Sequence, residues 1–380
     1  MADLPVVAFA LTGDVRMNSR AVKQFRVLQE IGFRIEAFTL GGEDHGHLLG
    51  ENVRLHVLPT PETKGLRFFR QVHQIFSRAV QVVRADVYHA SDLYVLPALA
   101  KAAKRHQGKL VFDSRELYPY VAATAGRPWI SMFWHAVSGH YLPKADAVFT
   151  VSESIADRLS ALYGIEKPPV LYNVPDFLGS VTPSGDLRKQ AQIPHDRAVI
   201  LHQGNMQRSR GCDLLIEAMQ DVERAVLVFL GNGTLRHQLE GKVEKLALHD
   251  KVRFLPPVPP DELLPVTAGA DFGVTLLEDT CLNHRFALPN KLFEYLITGL
   301  PVLASDLPEI RRVVEDFNVG KVVNPTDRMA LATALQHMTD DRSARDMWRA
   351  NAPRVLKAYT WASGARQFAE IYRGLIEKGN

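Results

Sequence analysis

The segment 288–305 combines the residue types that begin a helix at an anion site. Pro289 and Asn290 favour a helix start, because proline has no N–H to lose in a first turn and asparagine is a good cap. Glu294 follows in the second turn, close to backbone N–H groups whose dipole favours anions. A sugar nucleotide would suit this arrangement, with its phosphates at the helix start and its ribose hydroxyls on the carboxylate. The segment therefore predicts a sugar-nucleotide site.

The rest of this segment indicates where the helix ends and how it packs. Gly299 is a typical helix stop, and the apolar run 301–304 after it is typical of a buried strand. Before the glycine, apolar side chains recur at helical spacing: Leu292, Phe293, Leu296 and Ile297. One face of the helix is therefore expected to pack inward.

A second basic loop follows a predicted strand at 198–203. The loop Gly204–Gly211 contains Arg208 and Arg210 and leads into a predicted helix. Guanidinium groups match phosphate oxygens, and doubly wound folds bind ligands beyond the carboxyl ends of their strands, so the two arginines predict a diphosphate clamp. The alternative is a solvated loop, but the second anion site nearby favours the clamp. The GxG at 231–233 is too short for a dinucleotide motif and suits either close passage of backbone near the nucleotide or a tight turn.

In the first half of the chain, charged residues directly follow the predicted strand 109–112. Asp113 and Arg115 belong to an Asp-Ser-Arg-Glu run, which would bind or position a substrate; the alternative is that Asp113 caps a helix. Gly13 ends the first predicted strand, where its backbone would approach a ligand or form a plain turn. Both interpretations stay open at each position.

Helix 64–84 is basic and amphipathic. It carries Lys64 and four arginines with no acid between them, and its apolar residues fall near one face. Such a helix can lie on an anionic membrane. More commonly it packs its apolar face on a sheet and exposes its charges to water, which is the interpretation we favour.

Strands and helices alternate along the whole chain, from a strand at Val6–Leu11 to a final helix at about 361–377. This alternation predicts parallel sheets covered by helices. A chain of 380 residues is too long for one typical core, and the Pro-, Gly- and Ser-containing stretch 175–185 is the best linker candidate. The predicted fold class is α/β, with two Rossmann-like doubly wound domains facing across a cleft.

Composition excludes several classes of protein. Hydrophobic residues make up 46% and charged residues 23% of the chain, and the formal net charge of +3 is too small to indicate nucleic-acid binding. Two cysteines provide neither a disulfide framework nor a metal site. No signal peptide and no apolar run of about 18 residues is visible, so the predicted location is cytoplasmic.

With these motifs the chain resembles the GT-B glycosyltransferases, specifically the large retaining family four. The most specific element is Pro-Asn-Lys-Leu-Phe-Glu-Tyr at 289–295, with the Gly-x-Pro-Val that follows it. Less specific landmarks lie at 85–92, 109–116, 145–152, 171–174 and 204–211. The resemblance implies an acceptor-binding domain at 1–174, a nucleotide-sugar-binding domain at 175–358, and a C-terminal helix, 359–380, that crosses back to the first domain.

The resemblance also implies roles for single residues. Glu294 would bind the donor ribose, and Arg208 and Arg210 would hold the diphosphate. Lys291 would join the two arginines in stabilising the leaving charge. Four further residues are expected at the donor site: Gly13, Asn205, Val258 and Asn290.

Two positions depart from the family pattern. The family commonly has a glutamate eight residues before the ribose acid, where this chain has Phe286; Asn283 or Glu278 would replace it, or the sugar needs no such contact. The histidine of the family's Asp-x-His-Glu loop is Arg115 here, which would stabilise the departing phosphate. Arg115 is therefore a predicted catalytic residue.

The predicted function is that of a retaining, metal-independent glycosyltransferase. It would move a sugar from a UDP- or GDP-type donor to a glycan or lipid-linked acceptor, as in polysaccharide biosynthesis. No cofactor is expected, because the nucleotide-diphosphate sugar is the donor substrate, and no nucleic-acid partner is expected. Contact of helix 64–84 with lipid would place the protein at the inner face of a membrane. The alternatives are a weakly active or inactive nucleotide-sugar-binding scaffold subunit and a GT-B sugar-nucleotide epimerase.

Overall fold

The chain forms two compact units, each built on its own parallel sheet. The first unit takes in Met1–Asn173 and Trp361–Asn380, and the second takes in Val174–Thr360. The computed structural model describes residues 4–15, 18–42, 49–175, 181–184 and 186–377. The predicted linker 175–185 therefore lies partly outside the described residues.

The first unit alternates strands with helices. Its strands are β1 (Val6–Leu11), β2 (Arg34–Leu40), β3 (Val53–Leu58), β4 (Val87–Ala90), β5 (Lys109–Ser114) and β6 (Ala147–Thr150). Its helices up to this point of the chain are α1 (Ser19–Glu30), α2 (Gly65–Val80), α3 (Leu96–His106), α4 (Pro128–Tyr141) and α5 (Glu153–Tyr163). The central strands β1 and β4 are buried along their whole length, as expected for a parallel sheet covered by helices.

The second unit repeats this alternation. Its strands are β7 (Ala198–Gln203), β8 (Ala225–Leu230), β9 (Val252–Leu255), β10 (Phe272–Thr275), β11 (Val302–Ser305) and β12 (Gly320–Val323). Its helices are α6 (Asp186–Gln190), α7 (Cys212–Ala218), α8 (Arg236–Lys245), α9 (Pro260–Thr267), α10 (Leu282–Arg285), α11 (Asn290–Ile297), α12 (Pro308–Asp316), α13 (Arg328–Asp340) and α14 (Arg342–Ala358). The last helix, α15 (Trp361–Glu377), packs in the first unit.

Both sheets have the same topology. The strand order is β3-β2-β1-β4-β5-β6 in the first sheet and β12-β11-β10-β7-β8-β9 in the second, with all neighbours parallel. Counted within each unit, each order is that of the doubly wound dinucleotide-binding fold. The predicted α/β class with two Rossmann-like units is confirmed. Because such sheets bind ligands where the order reverses, the carboxyl ends of β1 and β4 and of β7 and β10 are the places to look for sites.

An aspartate just before a strand joins that strand to its neighbour at three places. Asp86 before β4 accepts the Val6 N–H of β1 at 2.7 Å. In the same way Asp146 before β6 accepts from the start of β5 at 2.8 Å, and Asp271 before β10 accepts from the start of β7 at 2.7 Å. In each case the carboxylate satisfies a backbone donor near the amino end of the neighbouring strand. These three aspartates are therefore structural features of the two sheets.

Helix α15 completes the core of the first unit. Phe368 and Tyr372 are fully buried, and the Tyr372 hydroxyl lies 2.6 Å from Nδ1 of His89 on β4. The His89 ring stacks on Phe9 of β1 with centroids 4.1 Å apart. Burial lowers the pKa of His89 to about 3, so this imidazole is a neutral core group.

Helix α2 and strand β12 differ from the sequence prediction. Helix α2 ends at Val80, four residues before the predicted end, and buries Val72, Phe76 and Val80; the interpretation that this face packs inward is confirmed. Strand β12 was not predicted, because it has four residues and starts at Gly320, a poor strand former. At that glycine a Cβ would lie 1.9 Å from the Val302 carbonyl oxygen, so the close strand contact requires it.

Candidate functional site

Two loops meet where the strand order of the second sheet reverses. The loop Gly204–Gly211 follows β7, and Glu278 lies after β10. The Gly211 N–H donates to a carboxylate oxygen of Glu278 at 3.3 Å, and the Glu278 N–H donates to the Ser209 carbonyl at 3.1 Å. Gly211 has a φ of +65°, and a Cβ there would lie 2.6 Å from the Cβ of Leu276. Glycine and the Glu278 carboxylate therefore fix the end of the arginine loop.

The GxG at 231–233 packs against the start of the same loop. A Cβ on Gly231 would lie 2.3 Å from the Gly204 carbonyl oxygen, and one on Gly233 would lie 2.1 Å from the Met206 carbonyl oxygen. The Met206 N–H donates to the Asn232 carbonyl at 2.8 Å. Contact between two loop backbones thus explains both glycines without a ligand.

Glu294 lies in the second turn of α11 and is held by Gln203, the last residue of β7. The side-chain amide nitrogen of Gln203 donates to the Glu294 carboxylate, and the Gln203 amide oxygen accepts from the Thr267 hydroxyl at 2.7 Å. The Gln203 backbone N–H donates to the hydroxyl of Tyr295, a fully buried residue, at 3.0 Å. Gln203 is itself buried, so a fixed side chain at the end of β7 orients the Glu294 carboxylate.

Lys291 lies within electrostatic range of both Arg210 and Glu294. Burial, and then the charge of Arg210, lower the pKa of Lys291 to about 8. Burial raises the pKa of Glu294, against the hydrogen bond from Gln203 and the charge of Lys291. His202 of β7 is fully buried, and burial, Lys291 and Arg210 hold its pKa well below the usual range. The structure therefore places two cations, one acid and a neutral imidazole around the start of α11.

Four other residues predicted at the donor site lie at the surface or near it. Arg208, Asn205 and Asn290 are exposed, and Val258 in the loop after β9 is partly buried. Arg208 has no hydrogen bond or ion pair with another described residue, so its guanidinium is available. The prediction that Asn290 caps the helix is wrong, because Pro289 holds the cap position and Asn290 is the first residue of α11. The ligand contacts of all four stay predictions.

Gly13 follows β1 where the strand order of the first sheet reverses. It has a φ of +92°, and its carbonyl accepts from the Thr39 hydroxyl. Next to it, the carboxylate of Asp92 after β4 accepts the Thr12 N–H at 2.7 Å and the Thr12 hydroxyl at 2.9 Å. The positive φ alone accounts for glycine here. Approach of a ligand to Gly13 stays a prediction.

Asp113 is neither a helix cap nor a surface residue. Strand β5 extends to Ser114, and Asp113 is fully buried within it. Arg20 of α1 donates to both carboxylate oxygens, at 2.7 and 2.6 Å, and Gln24 donates to one of them at 3.0 Å. Burial would raise the pKa of Asp113, but the charge and hydrogen bonds of Arg20 outweigh it and hold the pKa below its usual range. Both predicted roles of Asp113 are therefore corrected, since its oxygens hold α1 on the sheet.

Arg115 is the first residue after β5, just beyond the end of the strand. Its Nε donates to Asp113 at 3.4 Å, and its side chain is 19% exposed. One terminal nitrogen, Nη2, is buried and has no hydrogen-bond partner among the described residues. Burial lowers the pKa of Arg115, and Asp113 counters this. The guanidinium is thus anchored at one side and unsatisfied at another, which fits a role in binding an anion.

Phe286 stands where the family commonly has a glutamate that contacts the donor sugar, and it lies in the second unit with Asn283 and Glu278. Phe286 directly follows α10, and Asn283 lies on that helix. One oxygen of the Glu278 carboxylate accepts the Gly211 N–H at 3.3 Å. No role in sugar binding is established for any of the three.

The described residues contain neither a cluster of metal ligands nor a membrane-spanning helix. No three side chains of His, Cys, Asp and Glu are grouped so that they could hold a metal ion. Within the same residues no helix has the length and apolar character needed to cross a membrane.

Sequence reasoning missed Gln203, His202 and Tyr295. The first two end a strand, and their alternation with apolar neighbours is weak, so nothing local separates them from other buried strand residues. Tyr295 lies inside the specific 289–295 motif, but its buried hydroxyl depends on which strands lie beneath the helix. The pairing of Arg20 with Asp113 joins residues 93 positions apart and has no local signal either.

Curated relatives and solved structures resemble this chain to different degrees. D-inositol 3-phosphate glycosyltransferase of Corynebacterium kroppenstedtii is 32% identical over 203 residues, which is 50% of this chain and 44% of that protein. The chain spans about half the length of the curated relatives it matches. Sucrose-phosphate synthase from Thermosynechococcus elongatus superposes with a TM-score of 0.78 at 19% identity, over 98% of this chain and 100% of that one. HepE of Anabaena, solved in complex with UDP and glucose, gives 0.77 at 17% identity, over 97% and 100%. These superpositions show the GT-B fold.

Two family models match consecutive parts of the chain. Residues 17–173 match a glycosyl transferase 4-like domain, and residues 184–355 match glycosyl transferases group 1. The first match falls in the first doubly wound unit and the second match in the second unit. Together the two matches take in both units, so the chain is similar to glycosyl transferases along most of its length.

Proposed function

We propose that this protein is a retaining glycosyltransferase that uses a UDP- or GDP-type sugar donor and needs no metal ion. The observation that carries the proposal is the grouping of Arg210, Lys291 and Glu294 at the start of α11, where the strand order of the second sheet reverses. Two cations and helix N–H groups suit a diphosphate, and a carboxylate one turn further suits a ribose. The complex of HepE with UDP and glucose supports this class of donor.

The proposed mechanism needs no protein nucleophile. The acceptor hydroxyl attacks the sugar on the face from which the diphosphate leaves, and the departing diphosphate takes its proton. Arg210, Lys291 and the exposed Arg208 stabilise the leaving charge, and Glu294 fixes the donor ribose. The diphosphate also relieves the repulsion between Arg210 and Lys291, so part of its binding free energy comes from removing an unfavourable contact.

In this proposal the acceptor is a glycan or a lipid-linked molecule and binds to the first unit. The names of the curated relatives, D-inositol 3-phosphate glycosyltransferases, support a hydroxyl acceptor with an anionic group. Arg115, whose buried Nη2 has no partner in the described part of the chain, is the proposed contact for such a charge. A peripheral location at the inner face of a membrane is part of the same proposal.

The test combines binding with product analysis. Calorimetric titration with UDP and with GDP, in buffer with chelator, selects the donor base and tests whether a metal ion is needed. Transfer from the matching sugar nucleotide, with NMR of the anomeric proton of the product, then tests retention. Nucleotide binding without hydrolysis or transfer would favour the scaffold subunit, and inversion at a sugar carbon of the free nucleotide would favour the epimerase. Failure to bind either nucleotide would contradict the proposal.

Nucleotide affinity should fall as pH rises through about 8. Lys291 has a pKa of about 8 in the free protein, and a bound diphosphate raises it, because an opposite charge favours the ammonium form. Binding therefore takes up a proton, and above pH 8 the affinity falls by up to about tenfold for each pH unit. Calorimetry at pH 8 in two buffers of different ionisation enthalpy measures this uptake directly.

The control for this prediction is Lys291→Arg, which keeps a positive charge that does not titrate in this range. The variant should bind nucleotide with little change between pH 7.5 and 9. The terminal phosphate of the ligand loses its last proton near pH 6 to 7, below this window. An affinity that is constant through pH 8 in the wild type, or an equal fall in the arginine variant, would show that Lys291 is not the group.

Gln203 should hold Glu294 in its charged form. Gln203→Met keeps the side-chain volume and removes the hydrogen bond to Glu294. Because that hydrogen bond opposes the effect of burial, the pKa of Glu294 should rise further without it. Hydrogen bonds to charged groups contribute about 1.5–3 kcal/mol, so UDP or GDP should bind about tenfold to a hundredfold more weakly. The loss should deepen as pH falls from 7 to 5.

Tyr295→Phe is the matched control, since it removes the hydroxyl that receives the Gln203 backbone N–H and leaves the side-chain amide in place. It should lower stability and leave the pH profile of binding unchanged. If both variants shift the profile equally, Gln203 acts only through packing.

A further inference from the structure

Large apolar side chains are exposed near the starts of α2 and α4. Leu66 on α2 is 60% exposed, and Trp129 and Met132 on α4 are 65% and 70% exposed. Phe69 and Phe133 join the two helices edge to face, with ring centroids 5.0 Å apart. Leu66 lies one turn before Phe69, and Trp129 one turn before Phe133, so the exposed side chains flank this contact. We call Leu66, Trp129 and Met132 the apolar patch.

The apolar patch is not the amphipathic face predicted for helix 64–84. That face, Val72, Phe76 and Val80, is buried. Exposure of single apolar residues is ordinary, but three large ones beside one helix contact need a cause. The patch therefore has to be explained separately from the packing of α2.

Exposed basic residues border the apolar patch. Lys64, Arg67 and Arg70 lie at or next to the start of α2, and Arg127 directly precedes α4. None of the four makes an ion pair with an acid among the described residues. Along the chain, the acid nearest to Lys64 is the exposed Glu62. The border is thus a concentration of uncompensated positive charge around an apolar centre.

We propose that the apolar patch and its basic border dock on an anionic lipid bilayer. Tryptophan favours the level of the headgroups, and methionine and leucine can enter the acyl region below it. Each arginine or lysine near a negative membrane surface adds about 1 kcal/mol. A symmetric contact with a second copy would place the four cations opposite the same four cations, which disfavours a dimer through this face.

This inference goes beyond sugar transfer and rests on the proposed function only for the location at a membrane. Docking through α2 and α4 would hold the first unit at the lipid surface, where a lipid-linked acceptor is found. The bound class is chemically simple: any bilayer with enough anionic headgroups should serve.

Vesicle binding of the whole chain tests the proposal without donor or acceptor. We expect co-sedimentation with vesicles of phosphatidylcholine and phosphatidylglycerol, and little with phosphatidylcholine alone. Trp129→Ser with Met132→Ser should weaken binding about tenfold or more. Arg67→Gln with Arg70→Gln should weaken it about fivefold for each arginine removed. Added salt should weaken the wild type.

The chain offers a matched control at the opposite end of α2. Val82 is 82% exposed and Arg84 is exposed, and both lie just beyond the last residue of α2. Val82→Ser with Arg84→Gln removes the same kinds of group, and should leave vesicle binding unchanged. Circular dichroism checks that each variant is folded.

Three results would overturn the proposal. The first is no binding to anionic vesicles, and the second is an equal loss of vesicle binding in the patch and control variants. The third is self-association in solution that the patch variant abolishes, because the patch would then be a contact between two copies of the chain. Titration of the same preparations with UDP and GDP separates this failure from failure of the proposed function.

Discussion

Glu294→Ala is expected to weaken binding of the nucleoside diphosphate about tenfold to a hundredfold and to reduce sugar transfer by at least as much. The carboxylate is the only acid at the start of α11 in the described structure, and it lies one turn inside the helix from Lys291. Hydrogen bonds between ribose hydroxyls and a charged carboxylate contribute about 1.5–3 kcal/mol, which is the expected loss. Calorimetry with UDP and GDP, followed by transfer kinetics, measures both effects.

The expected loss has a second component that must be separated. Without the carboxylate, the buried amide of Gln203 loses a partner, which costs about 1–3 kcal/mol of stability. Thermal unfolding of the variant measures that cost independently of ligand. Glu315→Ala, which removes an exposed acid of α12 at 4.0 Å from Arg311, is the control and should change neither quantity measurably. Unchanged nucleotide binding in a folded Glu294→Ala protein would contradict the donor site.

Much of the fold could be predicted from the sequence because its strands are short apolar runs separated by helical patterns. The bounds of β1 and β7 agree with the predicted runs to the residue. The failures have physical causes. Strand β12 begins with Gly320, which is required by close contact with β11. A contact between two distant segments leaves no local pattern in the sequence.

The charged residues of the candidate site could be predicted from the sequence, but the residues that orient them could not. Arg210, Lys291 and Glu294 are recognisable because helix starts and loops after strands are where anions bind. Gln203 is not recognisable, since its amide reaches Glu294 across 91 residues of sequence. Local patterns indicate which groups can do chemistry, while the groups that orient them are set by tertiary packing.

Asp113 shows the opposite error, in which a charged residue after a predicted strand was taken for a site or a cap. The strand continues two residues further than its apolar run, so Asp113 points into the fold. A one-sequence interpretation assigns a charge at that place to the surface, because buried charges are rare. The pairing with Arg20 is what makes burial possible.

Asp113→Ala should therefore destabilise the protein by about 3–5 kcal/mol, because it leaves the buried guanidinium of Arg20 without its counter-charge. The pKa of Asp113 is below its usual range in the folded state, so its contribution is fully present above the unfolded pKa of about 4 and is lost only as pH falls through the lower folded value. The difference between wild type and variant should accordingly stay constant from pH 5 to 8. Urea unfolding followed by tryptophan fluorescence measures this difference.

The control is the double variant Arg20→Met with Asp113→Leu. It should be less destabilised than Asp113→Ala, since no unpaired charge remains from that pair. A loss below about 1 kcal/mol in Asp113→Ala would mean that water reaches Arg20 and that the pair does not hold α1 on the sheet.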